Sequence, residues 1–268
     1  MLISKLVALS LAIGVFPSFA VADCNARDFL ALPLPNLGTR LPEAVALEAS
    51  FPGLIVDDEA ATVAVEGHVL PLGEVSAATG NSRLIDPSIR DAFVPTYPLE
   101  FNLSLRGEPW FDPGRVRNEG LMKVLYGSRE TEVAKRLVRI RYNGKSQVAR
   151  FAMNARYCVA AQLQAALDAI AAEGPEMDRY FRKVGGSFAW RVIAGTERLS
   201  AHSFGIAVDF NTSLGGYWRW SGASEGGVGR YDNQYPETLV RHMERFGFIW
   251  GGKWHHYDTM HFEYRPEL

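Results

Sequence analysis

The stretch Leu199-Ser200-Ala201-His202-Ser203-Phe204-Gly205-Ile206-Ala207-Val208-Asp209-Phe210 decides how the chain reads. Its second half alternates: Ile206, Val208 and Phe210 face one way and Ala207 and Asp209 the other, the period of a strand. Gly205 permits a bend between His202 and that strand. The small Ala207 beside Asp209 leaves room for an ion. A second stretch, Trp254-His255-His256-Tyr257-Asp258-Thr259-Met260-His261-Phe262-Glu263, alternates in the same way, with Met260, Phe262 and Tyr264 on one face and His261 and Glu263 on the other. Pairing the two strands brings His202, Asp209 and His261 together. Two imidazoles and one carboxylate suit zinc, whose catalytic sites keep three protein ligands and one open position for water. Water bound there has a pKa of about 7. Asp258, three residues before His261, is the expected general base for that water.

The pattern Ser-x-His-x-x-Gly-x-Ala-x-Asp followed by Asp-x-x-His-Phe-Glu resembles the D-alanyl-D-alanine carboxypeptidase family of zinc peptidases. That family includes VanY-like D,D-carboxypeptidases and L-alanyl-D-glutamate endopeptidases, and its fold is similar to those of lysostaphin and hedgehog signalling domains. The resemblance covers Arg182 to Leu268. It implies that His202, Asp209 and His261 hold Zn2+ and that Asp258 is the base. Asp at that place is more similar to the L-alanyl-D-glutamate branch. The family's upstream arginine, which contacts substrate or the developing oxyanion, corresponds to Arg191, although Ala189-Trp190-Arg191 departs from the usual Tyr-Arg-Ser. Arg198 is a second candidate, for a substrate carboxylate. Glu263 shares a face with His261 and is placed to orient that ring through its other nitrogen. Of His255 and His256, the latter lies nearer Asp258 and is the better candidate to orient the site or bind a transition-state oxygen.

The resemblance implies an exported zinc metallopeptidase that hydrolyses peptide bonds in peptidoglycan stem peptides. The alternative is a zinc-containing binding domain of hedgehog-like fold with no catalysis, against which Asp258 argues. A serine hydrolase built on Ser200 or Ser203 lacks the strained glycine elbow. Whether the cut is of the D,D-carboxypeptidase or the endopeptidase type stays open.

Composition agrees with a globular, exported chain. Of 268 residues, 47% are hydrophobic and 22% charged, enough for one large domain or two small ones. Residues 1–22 read as a signal peptide: Lys5, an apolar run from Leu6 to Phe16, then Ala20-Val21-Ala22 as a cleavage signal. That run is short of the ~20 residues needed to span a bilayer. Loss of Lys5 leaves 27 basic against 30 acidic residues, net −3, so no basic surface for nucleic acid is expected. A periplasmic location is expected, with secretion as the alternative. Cys24 and Cys158, an even pair in an exported chain, are expected to form a disulfide, with two free thiols as the alternative.

The expected fold class is α+β. A small antiparallel sheet carries the zinc site and packs with helices in a peptidase domain over 131–268, after a strand- and loop-rich region over 23–130. Leu54–Val56 and Thr62–Val65 read as strands, with turns at Asp57-Asp58 and Glu66-Gly67. Leu137–Tyr142 and Gln147–Met153 flank Asn143-Gly144, a tight-turn signal. A helix should follow with Asn154 as N-cap, burying Val159, Leu163, Ala166, Leu167 and Ile170. A second helix is expected over Pro236–Phe246, with His242 solvated. Tyr217-Trp218-Arg219-Trp220 and the Gly-rich 221–229 read as an exposed loop at a cleft rim. His68 reads as structural.

Overall fold

The computed structural model describes residues 24–224 and 226–268; the signal-peptide reading lies outside them. The chain is α+β. Helix α1 (Pro42–Ser50) has Pro at its first turn, where the missing N–H costs nothing. A three-stranded antiparallel sheet follows: β1 (Ile55–Asp57), β2 (Thr62–Val65) and β3 (His68–Pro71). Glu66 and Gly67 between the last two both take positive φ, as a two-residue hairpin turn requires. His68 lies on the exposed β3.

After an irregular stretch come α2 (Glu119–Tyr126) and α3 (Glu130–Ala134). The hairpin of β4 (Leu137–Asn143) and β5 (Val148–Asn154) pairs Asn143 with Val148, so its loop is Gly144–Gln147, longer than the tight turn expected at Asn143-Gly144. Asp178 explains the loop. Its carboxylate accepts from Ser146 N and Oγ at 2.6 and 2.7 Å and from the Tyr142 hydroxyl at 2.9 Å. A Cβ on Gly144 would sit 1.7 Å from Asp178 Oδ1, so only glycine fits there.

Helix α4 (Val159–Glu173) begins later than expected, because Tyr157 and Cys158 sit in left-handed backbone (φ 50° and 61°). The expected N-cap role of Asn154 is therefore corrected. Asn154 ends β5, and its backbone N–H and side-chain Nδ2 donate to Gly205 O and Phe204 O at 2.8 and 3.0 Å. The hairpin is thereby fastened to the turn that carries His202. Val159, Leu163, Ala166, Leu167 and Ile170 are buried, as their spacing requires.

The second sheet is antiparallel, in the order β6-β7-β9-β8: β6 (Val184–Gly186), β7 (Ala207–Asn211), β8 (Phe248–Trp250) and β9 (His261–Tyr264). Helix α5 (Glu237–Arg245) precedes β8. Its His242 is not solvated as expected but half-buried, with Nε2 2.6 Å from Glu173 Oε1. Val208, Phe210 and Phe262 face a hydrophobic core that runs without a break from Ala44, Leu47 and Phe51 to Tyr264, so residues before and after 130 share it. Cys24 and Cys158 are joined in a disulfide, with Cα atoms 5.3 Å apart. Among the described residues no helix is long and apolar enough to cross a membrane.

Candidate metal centre

Period-2 geometry places the ligand candidates. In the β7–β9 register Asp209 stands opposite His261, on the face turned away from the core. His202 reaches them from a short 3-10 turn, Ala201–Phe204, capped by Ser200 and ended by Gly205 at φ 67°. A Cβ at Gly205 would meet Leu137 at 2.9 Å and Asn154 N at 3.2 Å, so the bend needs glycine for space as well as for φ.

Hydrogen bonds fix which nitrogens face inward. His202 Nδ1 lies 2.5 Å from Ser187 O, and a carbonyl only accepts, so Nδ1 carries the proton and Nε2 is left for the centre. His261 Nε2 lies 3.2 Å from Glu263 Oε2, leaving Nδ1. Asp209 Oδ1 is 2.9 Å from His261 Nδ1, Asp209 Oδ2 is 3.3 Å from His202 Nε2, and the two ring nitrogens are 3.3 Å apart. Three such donors around zinc at about 2.0–2.1 Å would stand about 3.3 Å from one another in a tetrahedral site. The spacing and the donor chemistry fit that ion. Among the described residues these three form a group that could hold a metal.

Electrostatics follow from the grouping. Burial alone would raise Asp209, but the adjacent His202 and His261 hold its carboxyl far below the usual range. Burial alone would lower His261; bonds to Asp209 and Glu263 and the nearby carboxylates push it up to about 10 instead. Asp258 is different. Its Oδ1 is shut off from solvent with no hydrogen-bond partner among the described residues. Burial, and then the charge of Asp209, push it up to about 6.

All four groups line one cleft of about 420 Å³ together with Arg191, whose side chain is exposed at its edge. Ser203, considered above as a nucleophile, instead holds the Arg191 backbone, accepting from its N–H at 2.9 Å and donating to its carbonyl at 2.8 Å. Trp218 is buried and Trp220 is 63% exposed, and both line the cleft. The aromatic loop therefore closes a small core and forms a rim as well. His255 points elsewhere, with Nδ1 2.9 Å from Arg106 O.

The cleft has a second wall that local sequence pattern did not disclose: Trp110, Arg115 and Arg117. Arg117 Nη1 donates to Glu263 Oε2 at 3.3 Å, and Arg265 Nη1 to Glu263 Oε1 at 3.2 Å. Those arginines and His261 outweigh burial and keep Glu263 strongly ionised. His256 packs between Trp110 and Trp218, with Nδ1 2.6 Å from Asp112 Oδ2 and Nε2 accepting from Gly226 N at 3.1 Å.

The profile of a family described as D-alanyl-D-alanine carboxypeptidase matches residues 194–264, a segment that contains His202, Asp209, Asp258 and His261. No curated protein and no solved structure matches the chain.

Proposed function

We propose that the protein is an exported zinc metallopeptidase that hydrolyses peptide bonds in peptidoglycan stem peptides, acting as a D,D-carboxypeptidase or an L-alanyl-D-glutamate-type endopeptidase. One observation carries this reading. Two histidines and an aspartate converge in a single cleft with the Asp258 carboxylate, whose Oδ1 is buried without a hydrogen-bond partner among the described residues, inside the segment similar to a peptidase family. His202, Asp209 and His261 would hold the metal, whose chemistry is to polarise a carbonyl and lower the pKa of water.

The chain's own residues do the rest. Asp258 accepts the proton of the attacking water and delivers it to the leaving amine; its raised pKa suits a group that must do both near neutrality. Arg191, at the cleft edge, donates to the developing oxyanion. Glu263 holds His261 by Nε2 so that Nδ1 faces the centre. The peptidase unit is proposed to span 131–268, with 23–130 contributing the second wall, and the protein to work in the periplasm.

The test is digestion of purified muropeptides with and without a chelator, read by mass spectrometry. Cleavage that stops with chelator and returns with zinc supports the proposal, and the products identify the bond. Tight muropeptide binding without any cleavage would favour the non-catalytic alternative.

A further inference from the structure

Five arginines line the cleft: Arg115, Arg117, Arg191, Arg198 and Arg219. Arg117 has its carboxylate in Glu263 at 3.3 Å, and Arg115 Nε lies 3.9 Å from Asp112 Oδ1. Arg198 differs. Among the described residues no carboxylate lies within ion-pair distance of it. Glu119, the carboxylate that acts on it most strongly, is already engaged by Lys123 Nζ at 2.7 Å and by the Leu199 N–H at 3.0 Å.

Arg198 is nevertheless held firmly. Val192 and Leu199 bridge across its turn, its N–H donates to Thr196 Oγ1 at 3.2 Å, and its carbonyl accepts from Ile193 N at 2.9 Å. Nη2 donates to the Arg115 carbonyl at 2.7 Å, which fixes the guanidinium against the second wall. Burial, and then the charges of Arg117 and Arg115, bring Arg198 down to about 10, so it stays a cation at neutral pH. A half-buried, positioned cation with no carboxylate at ion-pair distance among the described residues, beside two others, is suited to receive an anion.

Building on the peptidase reading above, we infer that Arg198 is a specificity-determining residue that receives a carboxylate of the substrate in the same cleft as the metal centre. Stem peptides offer this group in two places: at the C-terminus, and at the α-carboxyl of a γ-linked glutamate. The chemistry of recognition is shared, a fork of guanidinium N–H groups on a carboxylate.

The test uses two pairs of synthetic stem peptides and the full-length zinc-loaded protein. One pair differs only in a C-terminal carboxylate or amide, the other only in a free or amidated glutamate α-carboxyl. The wild type should prefer the acid over the amide in one pair, by about 10- to 150-fold in kcat/KM, mostly through KM. Arg198→Gln should bring that ratio close to one while still cleaving the amide. Arg198→Lys should keep part of the preference, since charge remains without the fork. The acid-to-amide ratio is measured within one protein sample, so partial misfolding does not move it. If Arg198→Gln cannot be obtained folded, the Lys variant carries the comparison. Preference in the C-terminal pair marks a carboxypeptidase; preference in the glutamate pair marks an endopeptidase. Cleavage with acid-to-amide ratios equal in wild type and variants, in both pairs, overturns the subsite alone. No cleavage of any peptide by the wild type overturns the peptidase reading, and the subsite with it.

Discussion

The two walls of the cleft are held by different forces. On the strand wall, Asp209 and His261 stand opposite each other because the β7–β9 backbone ladder puts them there. Their positions depend on main-chain bonds that any side chain leaves intact. On the second wall, the segment from Trp110 to Arg117 has no ladder. It is held by buried side chains: Arg115 Nη2 on the His256 carbonyl at 2.7 Å, Asp112 on the His256 backbone at 2.8 Å, and Arg117 on Glu263. Further back, Tyr97 donates to Glu244 at 2.6 Å and accepts from Trp250 N at 2.9 Å, and Lys253 reaches the Pro98 carbonyl at 2.6 Å. A ladder confines damage to the residue changed, whereas a buried charge network spreads it.

That contrast sets the scale of each substitution. His261→Ala on the strand wall should lose bound metal and all turnover while unfolding near the temperature of the metal-free wild type. Elemental analysis and a thermal scan check it, and metal retained at full occupancy would remove His261 from the ligand set. Arg117→Met on the second wall should do the reverse. Removing one partner of a buried pair costs about 3–5 kcal/mol, so the loss appears first in denaturant titration. Through Glu263 and His261 it should also weaken metal binding by about 10–100-fold, measured by competition with a chelator. Unchanged stability and affinity would show that the two walls are energetically independent.

The disulfide sharpens the comparison at smaller cost. Reducing Cys24–Cys158 should destabilise by about 2–4 kcal/mol. Amide exchange should rise in the region before residue 119 ahead of β7 and β9, because the bridge anchors the start of that region to the segment before α4. Uniform exchange across both walls would contradict this. Asp178 gives the smallest effect. Burial raises its pKa, but bonds from Ser146 and Tyr142 outweigh that and leave it below the usual value. A carboxyl lowered in the fold stabilises above its unfolded pKa of about 4, and that stability is lost as pH falls through the folded value. Asp178→Asn should therefore cost about 1–3 kcal/mol at neutral pH and less at pH about 3. Urea midpoints at the two pH values test it; an equal cost at both would remove charge from the explanation.

The same contrast explains what could be read in the chain. The strand alternation of Ile206–Phe210 and Met260–Tyr264 is local, so it gave both the β7–β9 pairing and the convergence of His202, Asp209 and His261. The α4 stripe was legible for the same reason. Arg115 and Arg117 were not, because their partners His256 and Glu263 lie 141 and 146 residues away and no local period links them. Asn154 was misread because Asn before an apolar helix is a common cap, and here a long-range bond to the Gly205 turn took precedence. The Asn143-Gly144 turn was lengthened by Asp178, 32 residues beyond Ser146. Local periodicity thus disclosed the group that could hold a metal, and only the folded chain disclosed what steadies it.

The central claim, metal-dependent peptide hydrolysis with Asp258 as the base, is tested most directly by Asp258→Asn. Asp258 lies outside the ligand group, so the variant should bind zinc as the wild type does. Muropeptide cleavage should fall by a factor of about 100 to 10,000, with the larger loss expected because one carboxylate serves both the water and the leaving amine. Zinc content and cleavage rate measured on the same sample give the answer. Full zinc with cleavage reduced to that extent is the predicted result; full zinc with cleavage at the wild-type rate would contradict it.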